Sequence, residues 1–263
     1  MQVSIDLFSL AGKVAVVTAA GRGIGRGIAL GFARLGADLV LADINATTLA
    51  EVSSEIRQLG REPLTIAADL TRDGDVSGLI DQAVARYGRI DMMANVVGGI
   101  PMKDRGPAVE LSEDSWDAVV ELNLKTVFLC SRAAARTMIK QGTKGSIINL
   151  ASISGINRNP RGSHYGAAKA AVIHLTKTLA HELGPSGIRV NAIATGVIDT
   201  LLNRDARAFF KVDDEALARA IPLQRLGEVE DVAAVAIFLA SEAAAYVTGQ
   251  TIVVGGGLEF WGN

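Results

Sequence analysis

Apolar residues fall in two alternating rhythms along this chain. Short apolar runs alternate with longer stretches in which apolar positions recur every three or four residues. The runs at 13–17, 39–42, 64–68, 90–95, 146–152, 188–193 and 251–254 read as buried strands. Between them, Ile24, Ile28, Phe32 and Leu35 mark one helix face, and Leu49, Val52, Ile56 and Leu59 another. Val76, Leu79, Ile80, Ala83 and Tyr87 mark a third, and Ala168, Val172, Leu175, Leu179 and Leu183 a fourth. A long helix is expected to begin near Ser112, whose capping signal is weak because no Glu or Gln follows three residues on. A last helix covers 232–239, while 200–226 carries no strand pattern.

Strands and helices in strict alternation predict an α/β fold: a seven-stranded parallel sheet with helices on both faces, one domain over 1–263. Ligands of such sheets bind beyond the C-terminal strand ends, where the strand order reverses. Asp43, Asp69, Asn95, Ser152 and the residues after Ile193 all fall at those ends.

Composition narrows the partners. With 49% hydrophobic and 21% charged residues and a net charge of −2, nothing favours nucleic acid or an anionic membrane. Arg132, Arg136 and Lys140 share a helical face and read as solvated charges. The lone Cys130 excludes an intrachain disulfide and reads as a buried small residue. The N-terminus has no basic-then-apolar pattern of a signal peptide, and no apolar run approaches the ~20 residues of a membrane span, so a cytoplasmic protein is expected. His164, His174 and His181 have no metal-site spacing. His174 and His181 read as surface or interface residues, and His164, beside Tyr165, as a loop residue within reach of substrate, so no metal is predicted.

Two stretches carry chemistry. After the first strand, Thr18-Ala19-Ala20-Gly21-Arg22-Gly23-Ile24-Gly25 opens a helix, as a pyrophosphate-binding turn does. Asp43 closes the second strand eighteen residues beyond Gly25, where a carboxylate accepts from the adenosine ribose hydroxyls. A 2′-phosphate there would meet like charge, so NAD is predicted over NADP. Further on, a strand delivers Ser152 to its end, and Tyr165 and Lys169 stand one turn apart on the next helix. A phenol, an ammonium and a hydroxyl so placed suit proton transfer.

Together these residues resemble the short-chain dehydrogenase/reductase family over essentially the whole chain. The motifs are the glycine-rich turn, Asp69, Asn95-Val96-Val97-Gly98, Asn123, Ser152, Tyr165-x-x-x-Lys169, Asn191 and Gly196, with thirteen residues from Ser152 to Tyr165. The resemblance implies a doubly wound Rossmann fold and a catalytic tetrad of Asn123, Ser152, Tyr165 and Lys169. In it Tyr165 is the general acid/base, its pKa lowered by Lys169 and the oxidised nicotinamide, and Asn123 supports a relay water. It also implies cofactor contacts from Ala19, Gly21, Arg22, Gly23, Ile24 and Gly25, from Asp43, Asp69 and Leu70, from Asn95 and Gly98, from Tyr165 and Lys169, and from Ile198 and Thr200. The implied reaction is hydride transfer between a nicotinamide cofactor and a secondary alcohol or ketone. The alternatives are a 3-oxoacyl thioester reductase, which Asp43 disfavours, and a catalytically silent NAD-binding regulator. A homotetramer follows from the same resemblance.

Three positions depart from the family pattern. Ala19 replaces glycine, which requires a negative φ there; Val96-Val97 replaces Asn-Ala; and Thr195 replaces proline, which loosens the segment that follows. Residues 200–222, with Leu201, Leu202, Phe209 and Phe210, are expected to form a flap over a small-molecule substrate. Ile100, Met102, Ser154, Ile156 and Val197 are candidate wall residues, an apolar set suited to a cyclic or hydrophobic alcohol, while Arg158 and Arg161 read as solvated loop charges. Phe260 and Trp261 at the C-terminus suggest packing on a neighbouring subunit.

Overall fold

The computed structural model of the protein describes residues 4–258. Seven strands, Val14–Thr18 (β1), Asp38–Asp43 (β2), Leu64–Ala67 (β3), Met92–Asn95 (β4), Ser146–Ser152 (β5), Arg189–Thr195 (β6) and Thr251–Val254 (β7), pair in parallel in the order β3-β2-β1-β4-β5-β6-β7. The helices are Gly23–Arg34 (α1), Ala46–Gln58 (α2), Asp73–Tyr87 (α3), Glu113–Val120 (α4), Thr126–Gln141 (α5), Ser163–Leu183 (α6), Leu201–Phe209 (α7), Asp214–Ala220 (α8) and Val229–Ala240 (α9).

The sheet is apolar on both faces because each strand buries alternate residues in opposite layers. Ala15 and Val17 of β1 join α1, α2 and α9 through Ile28, Phe32, Val52, Val232 and Leu239. Val14 and Val16 point the other way, into the layer of Leu79 and Ile80 from α3 and Leu129 and Met138 from α5. Full burial of a side chain such as Phe32 stabilises the fold by roughly 1.5–3 kcal/mol. The chain leaves β3 through α3 and returns on the far side of β1, so the strand order reverses between β1 and β4. There the two C-terminal ends diverge and leave a crevice.

Several local expectations are corrected. The long helix is interrupted: α4 passes into a π-helical turn, Glu121–Lys125, before α5 resumes. Ser112 does cap α4, its hydroxyl accepting from the Ser115 N–H at 3.2 Å without a capping box. Thr195 does not loosen the chain, because β6 runs through it and the Gly196 N–H donates to Val254 O at 2.8 Å. Residues 200–222 contain two helices, α7 and α8. Among the described residues no helix is long and apolar enough to cross a membrane, and no group of metal-ligating side chains gathers. Phe260 and Trp261 lie outside the described residues.

Candidate active site

A cavity of about 660 Å³ opens over the C-terminal ends of β1, β2, β4, β5 and β6. Ala19, Arg22, Gly23, Ile24, Gly25, Asp43, Asp69 and Leu70 line it from one side, with Thr200 beside Gly23, and Gly98, Ser152, Tyr165 and Lys169 line it further along. Four predicted contacts do not line it: Gly21, Asn95, Asn123 and Ile198.

The turn after β1 is tighter than the sequence suggests. Ala19 has φ +49°, not the negative value its side chain would favour. A non-glycine residue in this left-handed region costs about 1–2 kcal/mol. The turn holds because the helix packs directly on it: a Cβ at Gly25 would lie 2.0 Å from Ala19 O. Helical hydrogen bonding starts at Arg26 N–H to Arg22 O, and Arg22 supplies no side-chain cap. The N–H groups of Gly23, Ile24 and Gly25 therefore precede the first helical bond, on residues that line the cavity, as a pyrophosphate requires. Asp43 braces the same turn: its carboxylate accepts from the Gly21 and Asn45 N–H groups, each at 3.0 Å. Gly21 is thus a support behind the cavity wall. Asp69 accepts from the hydroxyl and N–H of Thr71, and those bonds hold its carboxyl below the usual range. These residues fit a dinucleotide.

Asn95 belongs to a buried polar chain that ties the sheet to its helices. Its amide donates to Ser131 Oγ (2.9 Å) and Asn149 Oδ1 (2.8 Å), and Asn149 donates to Thr176 Oγ1 (2.9 Å). The residues that follow Asn95, Val96 to Gly98, reach the cavity, and the Thr18 hydroxyl accepts from the Val96 N–H at 2.8 Å.

At the other end, β5 delivers Ser152 and the first turns of α6 deliver Tyr165 and Lys169. The Tyr165 phenol is hydrogen-bonded to Ser152, and burial raises its pKa despite that bond and the charge of Arg105. The lowering expected from Lys169 is absent from this environment. Lys169 Nζ instead donates to Leu150 O at 2.8 Å, 5.6 Å from the Tyr165 ring centroid, and burial brings its pKa down to about 8. Near neutral pH the pair is a phenol beside an ammonium.

Asn123 occupies the π-helical turn and is fully buried. Its amide accepts from the Gly99 N–H (2.9 Å) and donates to Gly99 O (2.8 Å) and Val119 O (2.9 Å). Both amide hydrogens are engaged, so this side chain fixes the loop. A Cβ on Gly98 would lie 2.6 Å from Asn123 Oδ1 and 2.8 Å from Lys169 Nζ, so only glycine passes there. Ile198 is buried, and its carbonyl accepts from Asn203 Nδ2 at 2.7 Å.

Of the candidate wall residues, Ile100, Ser154 and Val197 line the cavity and Met102 and Ile156 do not. Arg158 and Arg161 are exposed and lie outside it. Sequence reasoning missed Arg105, Arg207 and Asn159, which line it. Arg105 sits in a stretch without periodicity, so nothing along the chain signals it. His164 is a fully buried helical residue, not a loop residue.

A family profile described as "Enoyl-(Acyl carrier protein) reductase" matches residues 18–259. The 2-dehydro-3-deoxy-D-gluconate 5-dehydrogenase of Escherichia coli (strain K12) is 42% identical over 253 residues, 96% of this chain and 98% of that protein. The 3-oxoacyl-[acyl-carrier-protein] reductase of Thermotoga maritima is 40% identical over 249 residues, 95% of this chain and 98% of its own. A solved structure of 7α-hydroxysteroid dehydrogenase complexed with NADH and 7-oxo glycochenodeoxycholic acid superposes with a TM-score of 0.88 at 35% identity, covering 97% of this chain and 98% of that one. With relatives at this identity along nearly its whole length, the chain belongs to the short-chain dehydrogenase/reductase family, oxidoreductases that act on CH–OH groups with a nicotinamide cofactor.

Proposed function

We propose that the protein is an NAD-preferring dehydrogenase of a secondary alcohol, or a reductase of the corresponding ketone, with Tyr165 as general acid/base. One observation carries this reading: Ser152, Tyr165 and Lys169 meet at one end of a single cavity whose other end holds the phosphate-type turn and Asp43. Bound there, the nicotinamide cofactor supplies the hydride acceptor or donor. Ser152 Oγ and Tyr165 Oη hold the substrate oxygen; in reduction the Tyr165 phenol gives its proton to the carbonyl oxygen, and in oxidation its phenolate, which the charges of Lys169 and of a bound oxidised nicotinamide would favour, takes the carbinol proton. Lys169, fixed by Leu150 O, keeps a positive charge close to the phenol. Asp43 supports NAD, since a carboxylate repels a 2′-phosphate. Asn123 is a positioning residue for the Gly98–Gly99 loop. Residues 200–222 cover the substrate: Leu201, Leu202 and Phe210 line the cavity from α7 and its C-terminal end.

A second reading, reduction of a 3-oxoacyl thioester, draws on the name of the Thermotoga relative. Absorbance at the reduced-nicotinamide band separates the two. Hydroxy acids, polyols, hydroxysteroids and simple secondary alcohols are offered with NAD and NADP, and 3-oxoacyl thioesters with NADH and NADPH. We expect NAD-linked alcohol oxidation that Tyr165→Phe lowers at least a thousandfold. Turnover confined to thioesters with NADPH would favour the second reading. Cofactor binding without any turnover would leave a silent regulator.

A further inference from the structure

The interior arginines of this protein are matched to acceptors, with one exception. Arg207 pairs with Asp199 and Asp214, and Arg189 donates to the carbonyls of Leu239 and Ser241. Arg105 is partly buried in the cavity wall and has no carboxylate within ion-pair distance among the described residues. Its Nε is buried with no hydrogen-bond partner. Its guanidinium lies 5.9 Å from the Phe210 ring centroid, and its desolvation lowers its pKa. Burying a guanidinium without an acceptor is unfavourable unless a ligand completes it.

The backbone beside Arg105 is anchored. The preceding residue, Asp104, accepts through its backbone carbonyl from His164 at 2.9 Å. Because His164 Nδ1 accepts from the Tyr165 N–H, Nε2 carries the proton and donates to Asp104 O. The imidazole therefore ties the Arg105 segment to the first turn of α6, one residue from the proposed acid/base. Asp104 makes no ion pair with Arg105: its Oδ1 accepts from Ser115 Oγ at 2.7 Å, and its Oδ2 is buried without a hydrogen-bond partner. The positive charge of Arg105 reaches the Tyr165 phenol, which places it at the reacting end of the cavity and not at the Asp43 end. Nearby Arg207 Nη1 is a second buried, unpartnered donor on the same cavity, though its charge is already balanced.

We infer that Arg105 binds a carboxylate on the substrate, and that the protein acts on hydroxy acids or oxo acids whose carbinol or carbonyl carbon is held at Ser152 and Tyr165. The inference rests on the oxidoreductase reading of the same site and names its substrate class. Arg105 is a specificity residue: a planar guanidinium matches a carboxylate in two parallel hydrogen bonds, which an uncharged alcohol cannot return. An apolar wall suited to a hydrophobic alcohol thus carries one charge-selective contact.

The test separates binding from turnover. Matched pairs of a hydroxy acid and its amide, among them D-gluconate with D-gluconamide and 3-hydroxybutyrate with 3-hydroxybutyramide, are titrated into the protein saturated with NADH. Thermal-shift protection is read for the wild type, Arg105→Gln, Arg105→Lys and the exposed-loop control Arg158→Gln. We expect at least one acid to bind tenfold or more tighter than its amide. That preference vanishes in Arg105→Gln, persists in part in Arg105→Lys and is unchanged in Arg158→Gln. Retained NADH protection in each variant reports a folded site. The inference is overturned if no acid is preferred over its amide, or if Arg105→Gln keeps the preference. Failure of the oxidoreductase reading looks different: acid selectivity stays Arg105-dependent while no pair is turned over with either nicotinamide.

Discussion

At the scale of single residues, burial sets the chemistry of the site. Lys169 is almost inaccessible and its ammonium has one protein acceptor, Leu150 O, so its pKa falls to about 8 from an ordinary 10.5. The sign of the stability effect follows. The unfolded chain keeps this proton up to pH 10.5, whereas the folded protein releases it from about pH 8. The unfolded state therefore binds more protons between those values, and the buried ammonium's penalty, at most roughly 3 kcal/mol, is relieved as pH rises through that window. Comparing urea unfolding of the wild type and Lys169→Met from pH 7 to 10.5 isolates this term. The stability difference is expected to move toward the wild type with rising pH; a difference that stays flat would mean that Lys169 is not desolvated. Tyr165 is shifted the opposite way for the same reason, since burial penalises its phenolate. Ala19 shows a third local conflict, a left-handed alanine where the packing of α1 on the turn overrides the preference of the side chain.

At the scale of elements, the segment covering the site is held by charge. Asp199, just after β6, accepts from Arg204 and Arg207, and Arg207 reaches on to Asp214 at the start of α8. The hydrogen bonds from Arg204 and Arg207 hold the Asp199 carboxyl well below the usual range. Arg207 is the only buried member of this group, so its removal strands Asp199 with the exposed Arg204. Arg207→Met is expected to loosen α7 and α8 by about 1–2 kcal/mol, less than a fully buried pair because both carboxylates are partly solvated. Limited proteolysis reads this as roughly tenfold faster cleavage within 200–222, with β5 and α6 untouched. Equal cleavage rates would show that apolar contacts alone seat the two helices. The π-helical turn Glu121–Lys125 is the other element-scale device: one widened turn carries Asn123 into reach of Gly99.

At the scale of the whole molecule, Phe128 and Ile139 stand exposed three turns apart on the outer side of α5, and Trp116 is exposed on α4. Arg132 covers part of the Phe128 ring from 5.2 Å. We expect this face to bury itself between copies of the chain in a homotetramer. In sedimentation velocity, the wild type should run as the larger species and the double variant Phe128→Asp/Ile139→Asp as a smaller one; a monomeric wild type would remove the expectation.

The strand–helix order, the parallel sheet, and the convergence of the Gly23, Asp43, Ser152 and Tyr165 regions at strand ends are legible along the chain. Those are consequences of hydrophobic period and spacing, which are local. The sequence also signalled Tyr165 and Lys169, one helical turn apart. Tertiary structure alone decided what depends on partners distant in the chain. Arg105 became a cavity residue because His164, sixty positions on, holds the Asp104 carbonyl. Asn95 left the cavity because Asn149 and Ser131 claim its amide. Asn123 became a brace because a π-helical turn brought it to Gly99, and the pKa directions of Tyr165 and Lys169 followed from desolvation. Burial and hydrogen-bond partners are properties of the packed chain, and no periodicity along the sequence encodes them.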